Sequence, residues 1–226
     1  SAPYIEFAVA DFWGKNEGQE LITVNYLQSD ENFAQEGQRA SLFVRDEKEF
    51  KRVSSASLDL RVTGYKSCQA GFVDESRTGF FLEGVLDANT INTQILTVND
   101  RGTLLNPLLR GGRSDNVHTP SLLTQDINGD GILEVPHPEL INGYGEAIES
   151  ERLYKTVWKQ LEGNELVLSR VMFISSFGIR ITFTESMYRA LTLKPISASR
   201  EIVFYEFNKI KQSFKTSTFI LFCSFK

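Results

Sequence analysis

The chain has 226 residues, 41% of them hydrophobic, with 24 lysines and arginines against 29 aspartates and glutamates and a formal net charge of −5. That much apolar material supports one large or two modest cores and excludes a disordered tail. The acidic balance, with no basic block, argues against a surface built to neutralise phosphates, so nucleic acid is not an expected partner. No apolar run approaches the roughly 18–20 residues that cross a bilayer as a helix, and Ser1-Ala2-Pro3 lacks the charged and apolar regions of a signal peptide.

The aromatic and aliphatic residues fall in short runs bounded by Gly, Asn, Asp and Ser, the pattern of strands separated by turns. In chain order the predicted strands are 4–10, 20–26, 39–44, 60–63, 79–86, 93–97, 132–135, 155–160, 166–173, 179–184, 191–195, 202–204 and 219–225. Helix is expected only at 184–190 and 205–214. Stacked on one another, these segments give a weak repeat of about 50–60 residues. Three units read strand, acidic loop, strand, strand, turn, strand, which is one propeller-type blade of four antiparallel strands. The expected fold is therefore mainly β: three degenerate blade repeats over 1–165 in a partial or open propeller-like array, then a small antiparallel α+β domain over 166–226.

The acidic loop is complete only in the third unit, as Asp126-Ile127-Asn128-Gly129-Asp130-Gly131-Ile132-Leu133-Glu134. Oxygen-bearing side chains at every second residue across a forced turn suit a hard cation, which takes six to eight oxygens at roughly 2.3–2.6 Å. Asp126, Asn128, Asp130 and Glu134 are the expected side-chain ligands of Ca²⁺, with the Ile132 carbonyl and water completing the shell. An EF-hand is excluded: its twelfth position would be His137, and Pro136 and Pro138 stand where the exiting helix should run. The competing reading is a metal-free turn, because Asn-Gly and Asp-Gly pairs are strong hairpin formers. In the first unit Asp11 and Glu20 keep the ends of the loop but Phe12, Trp13 and Lys15 replace its middle, so that loop is expected to hold no metal. In the second, Asp74 and Glu75 lie in a longer loop.

Catalytic signatures are scarce, with no Gly-x-Ser-x-Gly elbow, no His-Glu-x-x-His and no Gly-rich phosphate loop. His118 and His137 flank the acidic loop and read as polar loop residues. Glu146 with Glu149 or Glu151 could form a glycosidase pair, but the spacing is a weak signal and a solvated acidic face is the expected reading. Arg101, Arg110 and Arg113 sit on Gly-rich turns and read as solvated loops. Trp158 is placed in the core by strand alternation; Trp13 is either an exposed sugar platform or a plug. Cys68 and Cys223 are too few for a disulfide framework, and a single bridge between them is the alternative to two buried thiols.

The pattern Asp-x-Asn-Gly-Asp-Gly-x-x-Glu inside a blade-length repeat resembles the FG-GAP or VCBS repeats of bacterial surface proteins and integrin-like propellers. More narrowly, the order of Asp126–Pro136, Trp158 and the segment from Phe177 onward is similar to that of secreted, often lipid-anchored proteins of Firmicutes. The resemblance spans most of the chain, but only the acidic loop is specific. It implies an extracytoplasmic location, calcium-stabilised β structure and no established enzymatic activity. Three blades cannot close a ring of about four to eight, so either further blades precede Ser1, the favoured reading, or the units form an open, curved sheet array capped by the last domain. The function expected is a non-catalytic surface module supporting adhesion, ligand binding or assembly with a protein or glycan. The alternatives are a polysaccharide or peptidoglycan hydrolase using Glu134 or Glu146, and a carbohydrate-binding module using Trp13.

Overall fold

The computed structural model describes residues 4–14, 19–26, 37–109, 115–176, 178–196, 198–208 and 213–221. Four open antiparallel sheets of blade-like strands follow one another along the chain, and none closes into a barrel.

The first sheet takes β1 (Tyr4–Ala10), β2 (Glu20–Tyr26), β3 (Gln38–Asp46) and β4 (Glu49–Ser57) in sequence order. Alternation puts Ile22 and Val24 of β2 on one face, and the register sets them opposite Leu42 and Ala40 of β3. All four are fully buried. The second sheet takes β5 (Gly64–Phe72), β6 (Thr78–Val85), β7 (Ile91–Val98) and β8 (Leu104–Leu105), and β9 (Val117–His118) also pairs with β7. Every residue of β7 is buried, the mark of a strand covered on both faces. On one side Leu96 and Val98 join Phe80 and Leu82 against the apolar face of the first sheet. On the other, Ile95 and Phe81 meet Val73, Leu108, Val135 and Leu161. Each such side chain contributes roughly 1.5–3 kcal/mol when removed from water, so β6 and β7 are the most heavily anchored strands of this part of the chain.

The third sheet has the order β10 (Val135–Leu140), β11 (Tyr154–Glu162), β12 (Glu165–Ile174) and β13 (Arg180–Phe183). A short α-helix, α1 (Glu185–Ala190), follows, with Thr184 Oγ1 accepting from the Met187 N–H as its cap. The fourth sheet is β14 (Leu191–Ile196), β15 (Glu201–Asn208) and β16 (Ser213–Leu221). Two compact units result, Ser1–His137 with Lys159–Val167, and Pro138–Trp158 with Leu168–Lys226. Within the second, Ile141, Val157, Phe173, Phe183, Leu193, Ile202 and Phe204 share one core. The domain division expected at 165/166 falls within the first residues of β12, whereas compactness divides the chain at 137/138, 158/159 and 167/168.

Several predicted elements differ from those observed. The stretch 60–63 is a turn, and the strand is β5, which follows it. Segment 132–135 forms isolated bridges, Ile132 to Phe72 and Glu134 to Gln125, and the true strand is β10 with both Pro136 and Pro138 inside it. The predicted helix 205–214 is replaced by the end of β15 and the start of β16, because Glu206, Phe207 and Asn208 pair with Lys215, Phe214 and Ser213. Residues 222–225 of the last predicted strand, and Cys223 with them, lie outside the described residues.

Trp13 is a plug rather than an exposed platform. Its ring lies against Gly102, where an added Cβ would fall 2.8 Å from the ring, and its Nε1 donates to the Asp100 carbonyl at 3.4 Å. Gly102 also holds a left-handed φ of 74°. Gly102→Ala therefore meets backbone strain and overpacking together and should cost about 2–3 kcal/mol. Gly163→Ala, at φ 61° with nothing near its Cβ position, should cost only about 1–2 kcal/mol. Urea midpoints measure both, and equal losses would remove the Trp13 contact from the explanation.

Cys68 is a free thiol on β5, half-buried against the first core. Burial first, then the nearby charges of Glu6 and Glu83, push its pKa up to about 12, so the thiolate is scarce near neutrality. In a Cys223→Ser background, Cys68 should react with a thiol-specific dye far more slowly in the native protein than in urea; equal rates at pH 8 would contradict this.

Candidate functional site

The predicted metal loop is built from its base upward. Gln125 and Glu134 exchange both backbone hydrogen bonds, at 3.2 and 3.0 Å, closing the loop, and Leu133 N–H donates to the Phe72 carbonyl of β5 at 3.0 Å. Gly129 and Gly131 take φ of 83° and 87°, a backbone that a side chain would strain. Between them the acidic residues satisfy the loop's own amides. Asp126 accepts from Gly129 N–H at 2.6 Å and Gly131 N–H at 2.9 Å, Asn128 Oδ1 from Asp130 N–H at 2.8 Å, and Asp130 Oδ1 from Ile132 N–H at 2.8 Å. Such side-chain-to-backbone turns fix the direction of every second residue.

One consequence is convergence. Asp130 Oδ2 and Glu134 Oε1 both accept from Asn128 Nδ2, at 2.8 and 2.9 Å, and both accept from Gln160 Nε2, at 3.0 and 3.1 Å. Glu134 Oε2 accepts from Ile127 N–H at 2.9 Å. Glu134 is 0% exposed and forms the floor of the loop, while Asp126 and Asp130 stand exposed at its mouth. Of the predicted ligands, Asn128, Asp130 and Glu134 are thus brought to one point. Asp126 faces the two glycines, and Ile132 is half-buried beside Phe72. Gln160, on β11, completes the cluster and was not foreseen from sequence.

The chemistry of this donor set suits a hard cation. Two carboxylate oxygens share a focus, and the groups bridging them are the neutral amides of Asn128, whose Oδ1 is held by the Asp130 N–H, and Gln160, whose oxygen and nitrogen exchange places on half a turn. Among the described residues no three His, Cys, Asp or Glu side chains hold a metal position by themselves, so an ion here requires Asn128, Gln160 or a carbonyl among its ligands.

The other acidic loops are closed by protein donors. Asp11 accepts from Gly14 N–H, and the buried Glu20 accepts from Phe12 and Trp13 N–H at 2.7 and 3.0 Å. Asp74 pairs with Arg77 at 2.6 Å and accepts from Ser76 and Arg77 N–H. Glu146, Glu149 and Glu151 are exposed, as is Arg101; Arg110 and Arg113 lie outside the described residues. Trp158 is buried, as expected. His137 sits in β10 with Nδ1 3.1 Å from the Val117 carbonyl.

His118 is not the loop residue expected. It is 2% exposed on β9, with Nε2 3.2 Å from Glu83 Oε2 and 2.8 Å from Thr93 Oγ1. Glu83, 1% exposed on β6, also accepts from Thr93 Oγ1 and from Thr124 N–H, each at 2.8 Å. An acid in the middle of the apolar run Phe80-Phe81-Leu82-Glu83 was the available clue, since unpaired carboxylates are almost never fully buried. Burial alone would raise the Glu83 pKa. The His118 ring and the Thr124 donors outweigh it and hold the carboxyl below the ordinary glutamate range.

With this geometry in hand, comparison with known proteins adds nothing further: the chain matches no family model, and no curated protein or solved structure is similar to it.

A depressed folded-state pKa means that Glu83 stabilises the fold above the ordinary glutamate pKa of about 4.3, and that this contribution fades as pH falls through the folded value. Glu83→Gln should lower stability at pH 7 by about 3 kcal/mol, since it breaks a buried network. It should also flatten the decline below pH 4.5. Urea titrations from pH 3 to 7 test both; parallel pH profiles for the two proteins would refute the assignment.

Proposed function

We propose that this chain is a non-catalytic, extracytoplasmic β module whose acidic loop takes Ca²⁺, and that it supports adhesion, ligand binding or assembly at a cell surface. The observation that carries the reading is the focus shared by Asp130 Oδ2 and Glu134 Oε1, over a fully buried glutamate and within a glycine-turned loop. Asp130, Glu134 and a rotated Asn128 or Gln160 would hold the ion, with Asp126 and the Ile132 carbonyl completing it. The ion would supply a charge that relieves the repulsion between neighbouring carboxylates. The resemblance to FG-GAP and VCBS repeats agrees with this reading, as does the mainly β fold of open antiparallel sheets.

No described helix is long and apolar enough to cross a membrane, and a lipid anchor outside this chain would serve a surface role. The hydrolase alternative is weakened at Glu134, whose 0% exposure withholds it from a polysaccharide. The sugar-platform alternative is weakened at Trp13, whose ring is engaged by Gly102.

Binding to the native state alone stabilises by about 2.7 kcal/mol when calcium stands at 100 times its dissociation constant. Wild-type protein should therefore melt several degrees higher in millimolar calcium than in EDTA, and Asp130→Ala should abolish the difference. Identical melting with and without EDTA in both proteins would dispose of the calcium reading.

A further inference from the structure

The second unit holds a polar cavity of about 370 Å³, bordered by Glu139, Leu140, Asn142, Lys155, Tyr188 and Arg189. Its volume falls in the range of small-molecule sites, roughly 300–1,000 Å³. Lys155 on β11 is only 6% exposed, and a buried ammonium is costly unless its surroundings replace water. Here it donates to the Leu140 carbonyl at 3.2 Å, lies 3.7 Å from Glu139 Oε2, and stands over the Tyr188 ring at 4.7 Å. Tyr188 donates its hydroxyl to the same Glu139 oxygen at 2.9 Å. Burial and then that carboxylate push the phenol up to about 12, so it remains a donor at neutral pH. Asn142 ties the β10 end to α1 by donating to the Tyr188 and Leu191 carbonyls.

Lys155 and Arg189 both border the cavity with donors, and Glu139, which faces Lys155 and accepts from Tyr188, is the carboxylate on the same wall. Arg189 meets Glu185 on its solvent side at 2.8 Å, with its side chain 69% exposed, so it can swing towards an occupant without disturbing the core. Leu140 and Asn142 also border a second hollow of about 540 Å³, which has Glu146 on its wall.

We propose that this cavity binds a small ligand carrying a carboxylate, its anionic end towards Lys155 and Arg189 and a hydroxyl or amino group towards Glu139. Lysine and arginine donors to a carboxylate make charge-assisted hydrogen bonds, and Glu139 is an acceptor for the ligand's polar remainder. All the residues belong to the second unit, so the site stands or falls independently of the acidic loop.

Isothermal titration of the full chain with glucuronate, glucose and inorganic phosphate, in calcium and in EDTA, tests it. Glucuronate should bind saturably under both conditions, and glucose, which has the same ring without the carboxylate, should not. Arg189→Gln, at an exposed position, should weaken glucuronate about tenfold with melting unchanged, since a hydrogen bond to a charged group is lost. Lys155→Met should weaken it at least as much. Absence of saturable glucuronate binding, equal binding of glucose, phosphate binding in place of glucuronate, or indifference to Arg189→Gln would each overturn the proposal.

Discussion

A carboxylate inside a β-sheet protein is tolerated only when its oxygens are saturated by donors, and the first unit of this protein meets that condition three times in the same way. Glu20 on β2 accepts the N–H groups of Phe12 and Trp13, Glu83 on β6 accepts that of Thr124, and Glu134 accepts that of Ile127. In each case a buried glutamate lends its oxygens to the backbone of an irregular segment whose amides have no strand to pair with. The loops are therefore fastened to the sheets by buried electrostatics as much as by apolar packing. Removing one such acid would strand both a loop amide and the acid's other donors, so the arrangement is all-or-none at each position.

The same constraint links the two parts of the site region. Thr124, held by Glu83, lies two residues before Asp126, and its carbonyl accepts from Gln69 of β5 at 2.8 Å. The base of the acidic loop is then closed by the Gln125–Glu134 bridge and pinned by Leu133 to Phe72. Loop geometry is inherited from β5 and β6, which the cores on both faces of the second sheet hold in place.

What could be read from sequence follows from this. A strand with strong alternation, such as β2, was legible to the residue, because one face buries Ile22 and Val24. β4 and β5 were not. Glu49-Phe50-Lys51-Arg52 and Tyr65-Lys66-Ser67-Cys68 carry few apolar residues, and their place is set by pairing with β3 and β6. The helix expected at 205–214 failed for a related reason: apolar residues there recur at helical spacing, but pairing between β15 and β16 overrides local preference. The acidic loop was legible because its converging side chains Asn128, Asp130 and Glu134 are close in sequence. Gln160 and Glu83 were not, since they reach their partners across 26 to 41 residues, and a single sequence carries no record of such meetings.

On the proposed reading, the hydrogen bonds of the loop also bear on where it works. Asn128 and Gln160 each give two amide hydrogen bonds to the converging carboxylates, and bonds to charged groups are worth roughly 1.5–3 kcal/mol. A loop that must surrender some of them on loading has a metal-free state that is already well satisfied, so its affinity for a cation is reduced by that amount. On that reading the loop's affinity would fall towards that of extracellular modules, whose dissociation constants are about 10⁻⁴–10⁻³ M. Such a site fills only where calcium is abundant. The network that keeps the loop folded without an ion is thus the same feature that would confine its calcium-bound form to the outside of the cell.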